Sequence, residues 1–169
     1  MKRFIPIFTA FILAISIVAV AWVINSTHVS AIKIKSAEEG IVVRVRIGDS
    51  EAPSTEISVD SDFTELKPCT FDGNNFKDIN GNIVDDNPEY VRTIELYMLP
   101  ENKCKVYGTL TSDSELPVKL LVYGNEVTEN TYIGTLKTSG QTIPLLFYID
   151  GEEYTQPGSA TLELTLKGE

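Results

Sequence analysis

Imidazole and thiol chemistry are scarce in this chain, which carries one histidine, His28, and two cysteines, Cys69 and Cys104, in 169 residues. A zinc cage of Cys and His ligands cannot be assembled from so few within one chain. There is no His-Glu-x-x-His pair, and any Ser-His-Asp relay would have to use His28 as its base. Positive charge is also short, with 14 Lys and Arg against 24 Asp and Glu, a formal net charge of -10. Such a surface repels a polyphosphate backbone, so nucleic acid is not an expected partner. After residue 30 no strong amphipathic helical pattern occurs, and no internal repeat or low-complexity linker divides the chain. The sequence therefore reads as a non-enzymatic, single-domain protein.

One long apolar run is present. Met1-Lys2-Arg3 precedes Phe4 to Ile24, broken only by Thr9 and Ser16, with no further charge until Lys33. The basic start, apolar centre and small residues of Ala19-Val20-Ala21 fit a secretory signal peptide over residues 1–21, cut between Ala21 and Trp22. Two alternatives stay open: an uncleaved anchor, because the run is long enough to cross a bilayer, and a type IV pilin helix released by cleavage before Phe4. Removing the signal takes away Lys2 and Arg3 and no acid, so the exported body is more acidic still. The expected location is extracellular or at the cell surface, with membrane contact only during export unless the segment is retained. An oxidising exterior and an even count predict a Cys69–Cys104 disulfide. Asn25-Ser26-Thr27 is the one N-glycosylation sequon, with Asn25 as acceptor.

Beyond residue 30 the dominant period is two, which predicts an all-β fold. Ile41, Val43, Val45 and Ile47 form one apolar row; Ala160, Leu162, Leu164 and Leu166 form another. Weaker strand signals cover 31–37, 55–59, 90–99, 104–110, 118–123, 132–137 and 143–149. Turn chemistry separates them at Glu38-Glu39-Gly40, Asn80-Gly81, Tyr123-Gly124-Asn125, Ser139-Gly140, Asp150-Gly151 and Gln156-Pro157-Gly158. About nine antiparallel strands at short spacing predict a β-sandwich of jelly-roll or immunoglobulin-like type over residues 31–169. Thr70 to Glu89, rich in Asp, Asn and Gly, reads as a long loop with a small hairpin.

Within that loop, counting from Asp78, positions 1, 3, 5, 9 and 12 carry Asp78, Asn80, Asn82, Asp86 and Glu89, the oxygen ligands a calcium loop uses. Asp85 adds another carboxylate. Position 6, where such a loop needs Gly, is Ile83, and Asn80-Gly81 is equally a hairpin-turn signature. Calcium binding and a solvated hairpin are both open readings.

Between signal and first firm strand lies Trp22-Val23-Ile24-Asn25-Ser26-Thr27-His28-Val29-Ser30, an arm with no Gly, Pro, Asp, Glu, Lys or Arg. It can lie on its own sheet, or it can complete a neighbour's sheet by strand addition. Repeated head to tail, the second contact does not close and makes a filament.

In order along the chain, Ala19-Val20-Ala21-Trp22 with Asn25, Leu66-Lys67-Pro68, Lys105-Val106-Tyr107 through Ser112 to Val122, and Ala160 to Lys167 resemble the TasA and camelysin family of secreted fibre proteins. They are most similar to its archaeal bundling pilus subunits. Cys69-Thr70 stands where that family has Gly-Asp, and its pattern has no counterpart to Thr70–Glu89. The resemblance implies a jelly-roll subunit that polymerises by donating its N-terminal strand to the next copy, without a chaperone or motor. By that analogy Trp22 to Ser30 is the donor, the partner is a head-to-tail homopolymer with laterally bundled neighbours, and the role is adhesion or biofilm matrix.

Overall fold

The computed structural model describes residues 27–49, 51–60 and 65–169. Twelve strands follow one another: β1 (His28–Ser36), β2 (Val43–Ile47), β3 (Glu56–Asp60), β4 (Pro68–Phe71), β5 (Phe76–Lys77), β6 (Val91–Pro100), β7 (Cys104–Ser112), β8 (Val118–Val122), β9 (Asn125–Glu126), β10 (Thr131–Leu136), β11 (Gln141–Asp150) and β12 (Ser159–Gly168). No helix occurs among the described residues. The nine expected strands are present. β4, β5 and β9 are additional, being too short to show a period.

The strands form two sheets. One has five strands in the order β10-β7-β12-β1-β3, and the other runs β2-β6-β11-β4-β5 with β8 and then β9 on the far side of β11. Both are mixed, which corrects the expectation of purely antiparallel pairing. β1 runs parallel to β12 from His28↔Ser159 to Ser36↔Leu166, and β4 runs parallel to β11 at Ile149↔Pro68. Apolar side chains from both sheets meet in one core, the arrangement of a β-sandwich.

Alternation explains which faces meet. On β12, Ala160, Leu162, Leu164 and Leu166 are buried, while Thr161, Glu163, Thr165 and Lys167 look outward. On β2, Val43 and Val45 are buried but Ile47 is 38% exposed, so the strand's last residue runs past the core. β1 breaks strict alternation: Val29, Ile32 and Ile34 all face inward at 0% exposure, one on an odd and two on even positions. A bulge between Val29 and Ala31 absorbs the extra residue and restores the phase.

The β8–β9 connection has the residues its geometry demands. Tyr123 and Gly124 have φ of 51° and 77° between the paired Val122 and Asn125, as a two-residue hairpin loop with both central residues left-handed requires.

The 70–89 segment folds over the outside of its sheet. β4 and β5 pair at Thr70↔Lys77 and Phe71↔Phe76. Beneath them Cys69, Phe76, Val84, Val91, Leu121 and Tyr148 form a second small core. Leu121 and Tyr148 alternate with Leu120, Val122, Phe147 and Ile149, which belong to the main core, so the two cores lie on opposite faces of one sheet. This corrects the expected disulfide. Cys69 is in the outer cluster, Cys104 is in the sandwich interior, and both are free. The sheet itself separates them, so pairing would need the backbone to move.

Burial pushes the Cys69 thiol up to about 12, with Asp150 adding to the effect, and burial also raises Cys104. Thiolate is the reactive form. Native protein at pH 8 should therefore resist thiol-directed reagents, and denatured protein should take up two equivalents without prior reduction. Uptake of none after denaturation would mean that a disulfide had formed. A second expectation concerns packing: Leu164→Ala, at a 0% exposed site, should lower unfolding stability by about 3 kcal/mol. Thr93→Ala, at an exposed site, should stay within about 0.5 kcal/mol in the same urea titration.

Candidate assembly site

The residues proposed as an arm divide at Thr27. Ala21, Trp22, Val23, Ile24, Asn25 and Ser26 lie outside the described residues, and with them the signal, its cleavage point and the sequon. Thr27 is 7% exposed, and its hydroxyl lies 3.0 Å from the Tyr154 Oη. Its carbonyl accepts from the Leu66 N–H at 3.4 Å. His28, Val29 and Ser30 begin β1, so the boundary drawn at residue 30 falls inside a strand. The Ser30 hydroxyl donates to the Ala160 carbonyl at 3.2 Å.

β1 has neighbours on both sides. Antiparallel pairing to β3 runs from Ala31↔Asp60 to Lys35↔Glu56 without a register shift. On the outer face Lys33 reaches Glu56 at 2.9 Å and Lys35 reaches Glu163 at 2.7 Å, one ion pair to each neighbouring strand. The hydrogen bond and charge of Glu56 raise the Lys33 pKa. Such exposed pairs are screened by solvent and contribute little, whereas burying Val29, Ile32 and Ile34 contributes about 1.5–3 kcal/mol per side chain. The inward row holds β1 in place; the ion pairs favour its register.

The five-stranded sheet ends on β10 at one side and β3 at the other. These edges differ. β10 has a bulge between Tyr132 and Gly134, and its inward Ile133 and Leu136 are already buried at 5% and 1%. A bulge of this kind twists an edge away from further pairing. β3 is regular, and its inward Ile57 and Val59 are only partly buried against the core. Before β3 begins, Ser54 bridges to Val45 of the opposite sheet and closes that corner. Among the described residues, β3 itself is paired on one side only.

The candidate calcium residues are placed as turn elements. Asp78 Oδ1 accepts the backbone N–H of Asn80 at 2.9 Å and of Asn82 at 2.8 Å, and Oδ2 accepts from the Asn82 side-chain amide at 2.9 Å. Asp85 accepts the Phe76 N–H. Glu89 pairs with Lys67 at 2.6 Å, and Asp86 is exposed beside Ile83 and Pro88. Thus Asp78, Asn80 and Asn82 share one turn, while Glu89 is committed elsewhere. Among the described residues no three His, Cys, Asp or Glu side chains are gathered to hold a metal ion.

What the sequence reasoning missed is the contribution of Ile32, Ile34, Ile57 and Val59. Their alternation is visible in IKIKS and EISVD. The long-range pairing that sets the two strands side by side is not. No family model matches the chain, and no curated protein shows significant similarity to it.

Hydrogen bonds from the Asn82 side chain and backbone hold the Asp78 carboxyl below the usual carboxylate range. Lys77, followed by the Asn75 and Asn74 amides, does the same more strongly for Asp72. Both groups are ionised more readily folded than unfolded. Their stabilisation is therefore complete above the unfolded value of about 4 and is lost as pH falls through the depressed folded range. The amide resonances of Asn74, Asn75, Asn80 and Asn82 should hold constant from about pH 7 to about pH 5 and move only below about pH 4. A transition centred near pH 6 would contradict this hydrogen-bonding scheme.

Proposed function

We propose that this chain is the structural, non-catalytic subunit of an extracellular filament or pilus, exported by its N-terminal segment and polymerised head to tail by donor-strand complementation. The subunit is a jelly-roll-like β-sandwich of the TasA and camelysin type, and the assembly serves cell adhesion or a biofilm matrix. The observation that carries the reading is the position of β1. It is a strand paired on both sides, and it begins within the expected arm, at His28. The fold therefore has its own first strand, and Trp22–Ser26 are left to act as donor. Thr27 to Ser30, the rest of the expected donor, serve as the anchor that ties the arm to its own subunit.

Acidic composition fits an exported, soluble precursor, and screening by salt or divalent cations would then permit lateral bundling. A membrane-anchored or secreted monomer that binds its target through calcium is the competing reading, and truncation separates the two.

Deleting Trp22–Ser26 from the exported protein should leave the urea midpoint within experimental error, since Thr27 and β1 are retained. It should also abolish filaments in electron micrographs and convert the sedimenting polymer to monomer. A polymer that persists unchanged after the deletion defeats the donor-strand reading. An intact protein that stays monomeric and gains stability with calcium supports the binding module instead.

A further inference from the structure

We infer that Lys103, Lys105 and Lys137 of one copy dock onto the acidic cleft at the opposite end of another, with Glu115 receiving an ammonium group there. This contact rests on the head-to-tail assembly proposed above and gives it a direction.

Strand pairing brings the three cations together. Lys103 and Lys105 bracket the first residue of β7, and Lys137 follows the last residue of β10. Cys104 pairs with Leu136, so the three exposed side chains gather at one corner of the five-stranded sheet. Among the described residues every other lysine is held in an ion pair. Acids near the corner are already engaged: Glu169, whose backbone pairs with that of Lys105, holds Lys167 at 2.6 Å, and Glu101 holds Arg44 at 3.0 Å. The corner is thus a local excess of positive charge on a chain of net charge -10.

The complementary charge lies at the other end of the same strand. β7 is nine residues long, about 30 Å, and Asp113 follows its last residue. Ser114–Pro117 then face Thr155–Ser159 across a cleft of about 160 Å³. Glu115 stands on its wall, and a hydrogen bond from the Asp150 N–H to the Pro117 carbonyl, 2.9 Å, brings the Glu152 turn beside the same loop. Asp113, Glu115 and Glu152 are exposed. Leu116, Pro117 and Pro157 give the cleft an apolar wall, against which a lysine stem can lie while its ammonium reaches the carboxylate.

Polarity agrees with the arm. Corner and cleft are at opposite ends of one copy, so their contact repeats in one direction instead of closing. Thr27 is tied at the cleft end, its hydroxyl 3.0 Å from the Oη of Tyr154, the residue before the cleft loop. A copy stacked beyond that end in the same orientation meets it with the lysine corner. Another copy fits this corner better than an extended polyanion does, because the acidic body repels the polyanion along its length while a neighbour presents its acids at one end.

The test is zero-length cross-linking of filaments of the unaltered protein with a water-soluble carbodiimide, which joins lysine to carboxylate only where they touch. Mass spectrometry of proteolytic peptides should find Lys103 or Lys105 joined to Glu115. The span of β7 separates these groups within one copy, so the link must come from two. Links from these lysines to acids of their own end alone overturn the docking while leaving assembly standing. Charge reversal checks it independently at exposed sites. Lys103→Glu/Lys105→Glu should raise the concentration needed for filaments about tenfold or more, with the urea midpoint unchanged. Adding Glu115→Lys/Glu152→Lys to that chain should restore assembly, whereas Glu38→Lys/Glu95→Lys, which restores the same net charge elsewhere, should not. Equal rescue by both pairs, or filaments indifferent to the lysine reversal, refutes the contact. Absence of filaments from the unaltered protein overturns the head-to-tail reading along with it.

Discussion

The rest of the molecule depends on how β1 is seated. It lies between the last strand and β3, and its inward row of Val29, Ile32 and Ile34 joins a core supplied by both sheets. Parallel pairing to β12 ties the beginning of the described chain to its end. Its partners are separated by more than a hundred residues, so loop-closure entropy opposes the ladder and the buried row must outweigh it. Once made, it leaves β1 paired on both sides with Val29, Ile32 and Ile34 at 0% exposure.

That completeness gives the proposed assembly its physical logic. A subunit that supplies β1 from its own chain can fold before it meets a partner. The joint would then combine main-chain hydrogen bonds, which are indifferent to sequence, with apolar cover, which sets the register. In the proposed assembly the acidic body would work in the same direction, keeping unassembled precursors apart until the strand contact, which is short-ranged and directional, outweighs the repulsion.

Much of this architecture is written locally. The rows in β12 and β2 and the turn residues at Tyr123-Gly124 announce strands and a hairpin because period and φ requirements are properties of neighbouring residues. Three features are not local. β4, β5 and β9 contribute two to four residues each, too few to display an alternation. The parallel pairings depend on which strands meet, which no single segment specifies. Cys69 and Cys104 look like partners by count, yet they occupy opposite sides of a sheet. The acidic loop shows the same limit: its oxygen spacing suits an ion, but Asp78 and Asp85 are engaged by backbone amides. Val29 is a subtler case, since its phase is wrong for Ile32 until the bulge is known.

The central claim is that subunits are joined by an extended segment passing from one sandwich to the next. Electron cryomicroscopy of the protein recovered from the cell surface tests it most directly. The account predicts a filament of stacked sandwiches in which continuous density leaves β1 of one subunit at Thr27 and enters the sheet of its neighbour as an added strand. Isolated single sandwiches, or a filament whose subunits touch only through side chains with no strand crossing between them, would contradict it.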